Sequence, residues 1–309
     1  MSSATSPATQ PRASRRARSR WRTVGAGAGW RSTLTIAVLA LLGLAWIGWP
    51  VWDSLTHPSR EQLRAEAPWV LGALVCGLAL LAATIWRDAG GRHDVLAPIA
   101  GVVLANCVLR AVLSPSSSGV ELVHVLPLLA GVALGAPAGF LTGAASALAS
   151  TVLVAVPAET LPSQAVVWGL VGLSGGLLVR LRPTAAWLAA LPVALAAGVG
   201  SGVLLNLMGW AQETGSSTSH FHPGLPPSQV LERLWAYTLD TSIALDLTRG
   251  VTTAVVLLLV GRPLIVALRP IPGDLRVTTT QQTDQVRPAA LERRGDRARL
   301  DRLWNEGTR

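Results

Sequence analysis

The sequence predicts an all-α integral membrane protein with about eight transmembrane helices. Half of its 309 residues are hydrophobic and only 14% are charged. The apolar residues form long blocks, without the alternation that is typical of helices and strands in soluble proteins. The arginines are concentrated in two terminal tails and in the short gaps between the blocks, where cytoplasmic loops of membrane proteins carry positive charge. Block length, composition and charge placement therefore predict the same fold class.

Eight blocks are long enough to be spans, because a hydrocarbon core of ~30 Å needs about 20 apolar residues in a helix. Spans are predicted at residues 32–51, 67–86, 95–113, 120–136, 138–156, 164–180, 185–210 and 248–268. A tight turn at Gly135 joins the fourth span to the fifth. Residues 229–247 carry four charged side chains and are predicted to be a helical extension before the last span.

The placement of arginine predicts the orientation of the spans. Threading eight spans brings the arginine-rich gaps and both tails to one side, so we expect both termini in the cytoplasm and the protein in the plasma membrane. Residues 1–30 contain six arginines and no acidic residue, which predicts a disordered basic cytoplasmic tail. Residues 271–309 are polar and charged and predict a second cytoplasmic tail.

Composition also excludes several functions. The formal charge of +9 resides in the tails and gaps, so nucleic acid is not an expected partner. The chain has no lysine, which rules out a phosphate-binding G-x-x-x-x-G-K-[ST] loop and a lysine Schiff base. Cys76 and Cys107 lie in apolar blocks and are expected to be packing residues. No catalytic motif appears, so we expect neither an enzyme nor a resident cofactor, and we expect no metal site.

Polar and aromatic residues near one end of several spans are the candidate ligand-binding residues, because polar groups are costly in hydrocarbon unless they serve a site. Residues four apart share a helical face, as Gln164 and Trp168 do, and as Asn206 and Trp210 do. The candidates are Arg110, Glu121, Gln164, Trp168, Asn206, Trp210, Asp246 and Arg249. They predict a pocket that opens to the outside, with aromatic walls. Two alternatives stay open: a structural ion pair between Asp246 and Arg249, and tryptophans that only line the membrane interface.

Small residues recur every fourth position in four segments, which lets helix backbones approach closely. These segments are Ala97–Gly101–Ala105, Gly131–Gly135, Gly139–Gly143–Ala147 and Gly172–Gly176. Packing within the bundle is the expected role. For Ala97, Gly101 and Ala105, docking against a separate membrane subunit is the alternative.

Four segments resemble one transporter family. Residues 131–150, GVALGAPAGFLTGAASALAS, are similar to the glycine-rich run of the substrate-specific (S) components of energy-coupling factor (ECF) vitamin transporters. GVLLNLMGW at 202–210, SIALDLTR at 242–249 and VGRPLIVAL at 260–268 continue the likeness. It covers roughly residues 31–270 and is strongest to actinobacterial members with two extra N-terminal helices. Two segments depart from the family pattern: VAVPAETLPSQ at 154–164, and Val123 with His124, where aromatic residues are typical.

The resemblance implies a division of the chain and a set of partners. Residues 31–93 would form two N-terminal helices and residues 94–270 a six-helix core that captures a vitamin-like molecule from outside. The partners would be a membrane-embedded coupling (T) subunit, which small residues of the first core helix would contact, and two cytoplasmic ATPases. The twelve tryptophans and the long segment 211–228 favour a large ligand such as a corrinoid. A self-contained secondary transporter and a membrane scaffold are the rival interpretations.

Overall fold

The computed structural model describes residues 29–52, 60–113, 121–211 and 219–269. Within these ranges the chain consists of helices and their connecting turns and contains no strand. The tails predicted at 1–30 and 271–309 lie outside the described residues, except for Gly29 and Trp30. The all-α fold class is thus confirmed for the described part of the chain.

Eleven α-helices follow one another in the described ranges. They are α1 Trp30–Ile47, α2 Trp49–Trp52, α3 Arg60–Asp88, α4 Leu96–Leu113, α5 Val125–Leu134, α6 Ala136–Ala149, α7 Leu161–Gly176, α8 Pro183–Trp210, α9 Pro227–Thr241, α10 Ile243–Val256 and α11 Arg262–Leu268. A π-helical stretch, Leu257–Gly261, joins α10 to α11, so that Ile243–Leu268 forms one long helix. Short 3-10 turns at His93–Val95 and Ser150–Val152 precede α4 and follow α6.

Five of these helices are long and apolar enough to cross a membrane: Trp30–Ile47, Glu61–Asp88, Leu96–Leu113, Pro183–Trp210 and Ile243–Leu268. Many of their large apolar side chains are exposed, including Leu41, Leu104 and Leu259. Apolar side chains on the outside of such helices are expected to face lipid. The chain is therefore a multi-pass membrane protein of the all-α class.

The other three predicted spans are helical but shorter than their apolar blocks. Helices α5, α6 and α7 contain 10, 14 and 16 residues, so that α5 is only about 15 Å long at ~1.5 Å per residue. Gly135, with φ 103°, ends α5 before the block does. Most residues of these three helices are buried, and Ala149 is the one that is exposed. They form the centre of the bundle, and the longer helices pack around them.

Glycines allow α5, α6 and α7 to touch through their backbones. A β-carbon at Gly139 would overlap with the carbonyl oxygen of Gly172, and one at Gly172 would overlap with that of Gly139. Gly143 packs in the same way on the carbonyl of Trp168, and Gly131 on that of Gly172. The prediction that these stripes pack within the bundle is confirmed, because only a residue without a side chain fits at such contacts.

A second glycine contact joins α8 to α10. Gly198 packs against the backbone of Gly250, and Gly202 lies against the carboxylate of Asp246. This contact fixes the first turns of α10 against the last third of α8. The polar residues of both helices are thereby brought to the same level of the bundle.

Contacts between helix ends define two ends of the bundle. At the end of the bundle where α1 begins and α3 ends, the Asp88 carboxylate accepts hydrogen bonds from the backbone N–H (2.8 Å) and the hydroxyl (2.7 Å) of Ser32. The carboxylate thereby caps the first turn of α1. Arg269 donates to the carbonyls of Leu181 and Val132 there. We call this the terminal end. The opposite end, where α4 ends and α7 begins, is called the site end.

The last span begins earlier than predicted and is separated from the preceding helix. Residues 227–241 form α9, and the chain departs from helical geometry at Ser242 (φ −128°) before α10 begins at Ile243. The side chain of Asn206 on α8 binds both Thr238 (3.2 Å) and Ser242 (2.6 Å) at this point. The predicted extension is therefore helical up to Thr241, whereas residues 243–247 belong to the span itself.

Candidate functional site

Arg110 is the centre of a buried polar cluster at the site end. It lies in the last turn of α4, and Nη1 donates to Ser150 Oγ (2.7 Å) and to the carbonyl of Ala147 (3.4 Å). Nη2 donates to Gln164 Oε1 (3.0 Å), and the guanidinium lies 4.8 Å from the ring centroid of Trp168. This stacking is a cation–π contact. Three of the predicted candidates, Arg110, Gln164 and Trp168, are thus brought together.

Arg249 organises a second cluster at the same end. Its Nε donates to Glu121 Oε2 (3.0 Å) and its Nη1 to Asp246 Oδ1 (2.7 Å). Asp246 also accepts from Ser242 Oγ (2.8 Å), which in turn accepts from Asn206 Nδ2 (2.6 Å). The open alternative of an ion pair between Asp246 and Arg249 is confirmed. It is one part of a larger network that connects the segment before α5 with α10 and α8.

Val123 and His124, which follow Glu121 closely in the sequence, connect the two clusters. Asn106, one turn before Arg110 on α4, donates from Nδ2 to the carbonyl of Val123 (3.1 Å). The ring of His124 meets the ring of Trp168 edge-on, with centroids 6.4 Å apart. Both Asn106 and His124 are almost fully buried, and Asn106 Oδ1 and His124 Nδ1 have no hydrogen-bond partner among the described residues. Buried polar atoms of this kind are rare, because each forfeits its hydration without compensation.

Charge is distributed unequally between the clusters. Both carboxylates, Glu121 and Asp246, bind Arg249, whereas the hydrogen bonds of Arg110 within the described residues go to neutral acceptors. Arg110 is 7% exposed. A buried cation that lacks a bonded anion retains much of its desolvation cost. The Arg110 cluster is therefore suited to an anionic or electron-rich group, and the Arg249 cluster to a hydrogen-bond donor.

Trp210 does not join these clusters. Its indole Nε1 donates to the carbonyl of Ser219 (2.6 Å), and its ring packs edge-on against Phe221 (5.2 Å between centroids) and tilted against Tyr237 (6.4 Å). Trp49 also meets Phe221 edge-on, with ring centroids 6.0 Å apart. This aromatic cluster lies beside the last turn of α8. Sequence spacing predicted that Asn206 and Trp210 share a face, but their side chains bind different partners.

The site includes residues that were not among the predicted candidates. Ser150, Ser242 and His124 contact candidate residues, and Asn106 binds the carbonyl of Val123 beside them. The sequence could have identified Asn106 as a site residue, since it lies four residues before Arg110 and shares its helical face. Ser150 had no such signal, because a serine in an apolar helix commonly bonds to its own backbone, whereas Ser242 begins the segment SIALDLTR that resembles the S components.

The predicted docking stripe lies on the outside of the bundle. Ala97, Gly101 and Ala105 are exposed, while Ile99 and Val102 on the other face of α4 are buried. No atom would lie within 4 Å of a β-carbon at Gly101. Unlike the glycines of α5, α6 and α7, this stripe packs against no described part of the chain.

No family model, curated protein or solved structure matches the chain. Any proposed function therefore rests on the side chains at the site end. Among the described residues, no group of three or more His, Cys, Asp or Glu side chains is arranged to hold a metal ion. Cys107 is buried with its thiol toward the carbonyl of Ser146, and Cys76 is exposed on α3. The polar chemistry of the site end thus lies in the Arg110 and Arg249 clusters.

Proposed function

We propose that the chain is the substrate-binding membrane subunit of an ECF-type importer. It would capture a vitamin or related micronutrient at the site end, and partner subunits would hydrolyse ATP to drive its delivery. The single observation that carries this proposal is the buried Arg110 cluster, which joins a cation, a stacked indole and an amide at one end of the bundle. A few oriented polar groups against an aromatic wall are typical of small-molecule sites.

The glycine-packed centre supports the same proposal. The segment that resembles the S-component glycine run forms the backbone contacts between α6 and α7. We propose that α5, α6 and α7 cross the membrane despite their length, because the surrounding helices bury them. Irregular backbone at membrane depth is tolerated where protein surrounds it. Eight crossings would place both termini on the same, cytoplasmic side of the plasma membrane.

Two further features support the proposed partner subunits. A chain without lysine lacks the P-loop lysine, so the proposed ATP hydrolysis would reside in two partner ATPases. The exposed stripe Ala97, Gly101 and Ala105 would dock on the coupling subunit, because small residues let another helix approach the backbone of α4. The ligand class extends to corrinoids, for which the tryptophan-rich site end offers a large apolar surface.

A secondary transporter is the second candidate, and Asp246 is the observation that favours it. This carboxylate is 2% exposed and lies inside the apolar helix Ile243–Leu268. Ionisable groups inside spans are often parts of ion or proton pathways. A carrier of this type would need no ATPase partner.

One experiment distinguishes these functions. The chain is purified alone in detergent, its co-purified small molecules are identified by mass spectrometry, and the same preparation is reconstituted into liposomes with the identified molecule. The proposal expects a tightly retained vitamin-like compound and no transport under a proton or sodium gradient. Transport by the isolated chain would support the secondary carrier instead, and the absence of any retained or binding small molecule would refute both.

A further inference from the structure

Helix α9 has an apolar flank that no described residue covers. Leu231, Trp235 and Leu239 follow one another at intervals of four and are 52%, 50% and 47% exposed. At this spacing the three side chains form one stripe along the helix. An exposed stripe of large apolar side chains is costly in water, so its position at the site end requires an explanation.

The other two faces of α9 differ from this flank. Val230, Leu234 and Thr238 are buried against the bundle. The remaining side carries the exposed polar side chains of Gln229, Glu232 and Asp240. At ~100° per residue the apolar flank lies between the buried face and the polar face. A helix with three such sides has the arrangement that is typical of helices lying flat at a membrane surface.

The position of α9 relative to the spans indicates what covers the flank. Thr238 is bound by Asn206, and Tyr237 contacts Trp210, so α9 lies beside the last two turns of α8. With 28 residues, α8 is about 42 Å long and exceeds a hydrocarbon core of ~30 Å. Its last turns therefore reach the membrane interface, and α9 lies at that level.

The apolar surface continues from α9 into the last span. Only Ser242 separates α9 from α10, where Leu245 and Leu247 are exposed on the outside of a membrane-spanning helix. Those side chains are expected to face lipid. The flank of α9 is thus adjacent to the acyl region, and it carries a tryptophan at its middle, the side chain that most favours the interface.

We propose that α9 lies in the membrane interface at the site end, with Leu231, Trp235 and Leu239 inserted among the lipids. The insertion depth is ~5–10 Å below the headgroups. Apolar contact, not headgroup charge, holds it there: the helix carries two acids, Glu232 and Asp240, and its one arginine donates to the carbonyl of His220. Zwitterionic phosphatidylcholine is therefore a sufficient partner. This inference does not depend on the proposed transport function.

Site-directed spin labelling tests the proposal. In a background with Cys76→Ala and Cys107→Ala, single cysteines replace Leu231, Trp235 or Leu239. Single cysteines at Gln229 or Asp240, both exposed, serve as matched controls on the polar face. The labelled full-length chain is reconstituted into phosphatidylcholine vesicles at low protein density. Collision rates of the nitroxide with oxygen, which partitions into lipid, and with a water-soluble nickel complex are then measured.

The expected result is an oxygen-to-nickel collision ratio at least threefold higher at the three flank positions than at the controls, unchanged by 0.5 M salt. Equal ratios on both faces would overturn the proposal, because the flank would then lie in water. Spin–spin broadening at the flank would overturn it in favour of a second copy of the chain. Protection from both reagents would overturn it in favour of cover by another part of the protein. Three flank positions are used so that failure of one variant to fold leaves the test intact.

Discussion

The carboxylate of Asp246 on α10 packs directly against the backbone of Gly202 on α8, so closely that a β-carbon at Gly202 would overlap with it. Gly202 therefore makes room for the acid that binds both Arg249 and Ser242. A small residue on one helix thus determines where a charged residue on its neighbour can lie.

Replacing Gly202 with alanine should displace Asp246 and lower the free energy of unfolding by ~1–3 kcal/mol, the usual cost of inserting a methyl group into a packed site. Thermal unfolding in detergent measures the change. Gly200→Ala is the matched control, because no atom lies within 4 Å of a β-carbon there. It should leave the free energy of unfolding unchanged or raise it by up to ~1 kcal/mol, because alanine is the better helix former. Equal effects of the two substitutions would contradict the packing described for Asp246.

Removal of the Arg249 side chain should leave two carboxylates without their cation. Arg249→Met is expected to lower the free energy of unfolding by ~3 kcal/mol, since removing one partner of a buried pair leaves the other charge uncompensated. Asp246→Asn should then cost ~1–2 kcal/mol less in the Arg249→Met background than in the wild type, because the two residues share one interaction. A double-mutant cycle in detergent measures this coupling.

Arg64 provides the control for the Arg249 cycle. It pairs with Glu159 at the same end of the bundle (3.1 Å); Glu159 is 9% exposed, but the Arg64 side chain is 66% exposed, against 14% for Arg249. Solvent screens an arginine that is exposed to this extent, so Arg64→Met should cost less than Arg249→Met. If Arg64→Met destabilised the protein as much as Arg249→Met does, burial could not be the reason for the importance of Arg249.

Arg110→Lys tests the ligand site and rests on the proposed function. Lysine keeps the positive charge but loses the planar guanidinium that stacks on Trp168 and reaches Ser150 and Gln164 at once. We expect at least a tenfold fall in the co-purified small molecule, which corresponds to ~1.4 kcal/mol in binding. Mass spectrometry of equal protein amounts measures it. Arg64→Lys should retain the wild-type amount, and full retention by Arg110→Lys would exclude this cluster from the binding site.

Gly101→Leu tests the docking stripe, again on the premise of the proposed function. A leucine at this exposed position should block close approach of another helix, while ligand retention stays unchanged because no described part of the chain packs there. Co-purification with the coupling subunit and the ATPases measures assembly. Gly72→Leu on α3 is the matched control, since it too is exposed and has no atom within 4 Å of a β-carbon. Loss of assembly in both variants, or in neither, would remove the special role of α4.

The sequence predicted which segments are apolar helices better than it predicted their lengths. The turn at Gly135 was predicted, but a count of apolar residues does not detect that α5 begins only at Val125, well inside the span predicted at 120–136. The count also did not divide residues 227–247 at Ser242, where the side chain binds Asn206, 36 residues away. Lengths set by tertiary contacts are not encoded in local hydropathy.

The sequence predicted which residues lie at the site end, but it did not predict which of them bind one another. Glu121 and Arg249 were both expected at the site end, yet nothing local indicates a bond between residues 128 positions apart. Trp210 was grouped with Asn206 by helical spacing, whereas its indole turns toward Ser219 and Phe221. Spacing identifies a shared face, and only the packing of neighbouring helices determines which partner each side chain meets.

The enclosed position of the three short helices has a consequence for different lipids. A change in bilayer thickness acts on helices that touch lipid, and these respond by tilting. Because α5, α6 and α7 are mostly buried, such tilting would be absorbed by the outer helices. The glycine contacts between Gly139 and Gly172 join backbone to backbone without flexible side chains. The packing of α5, α6 and α7 on one another should therefore be the same in thin and thick membranes.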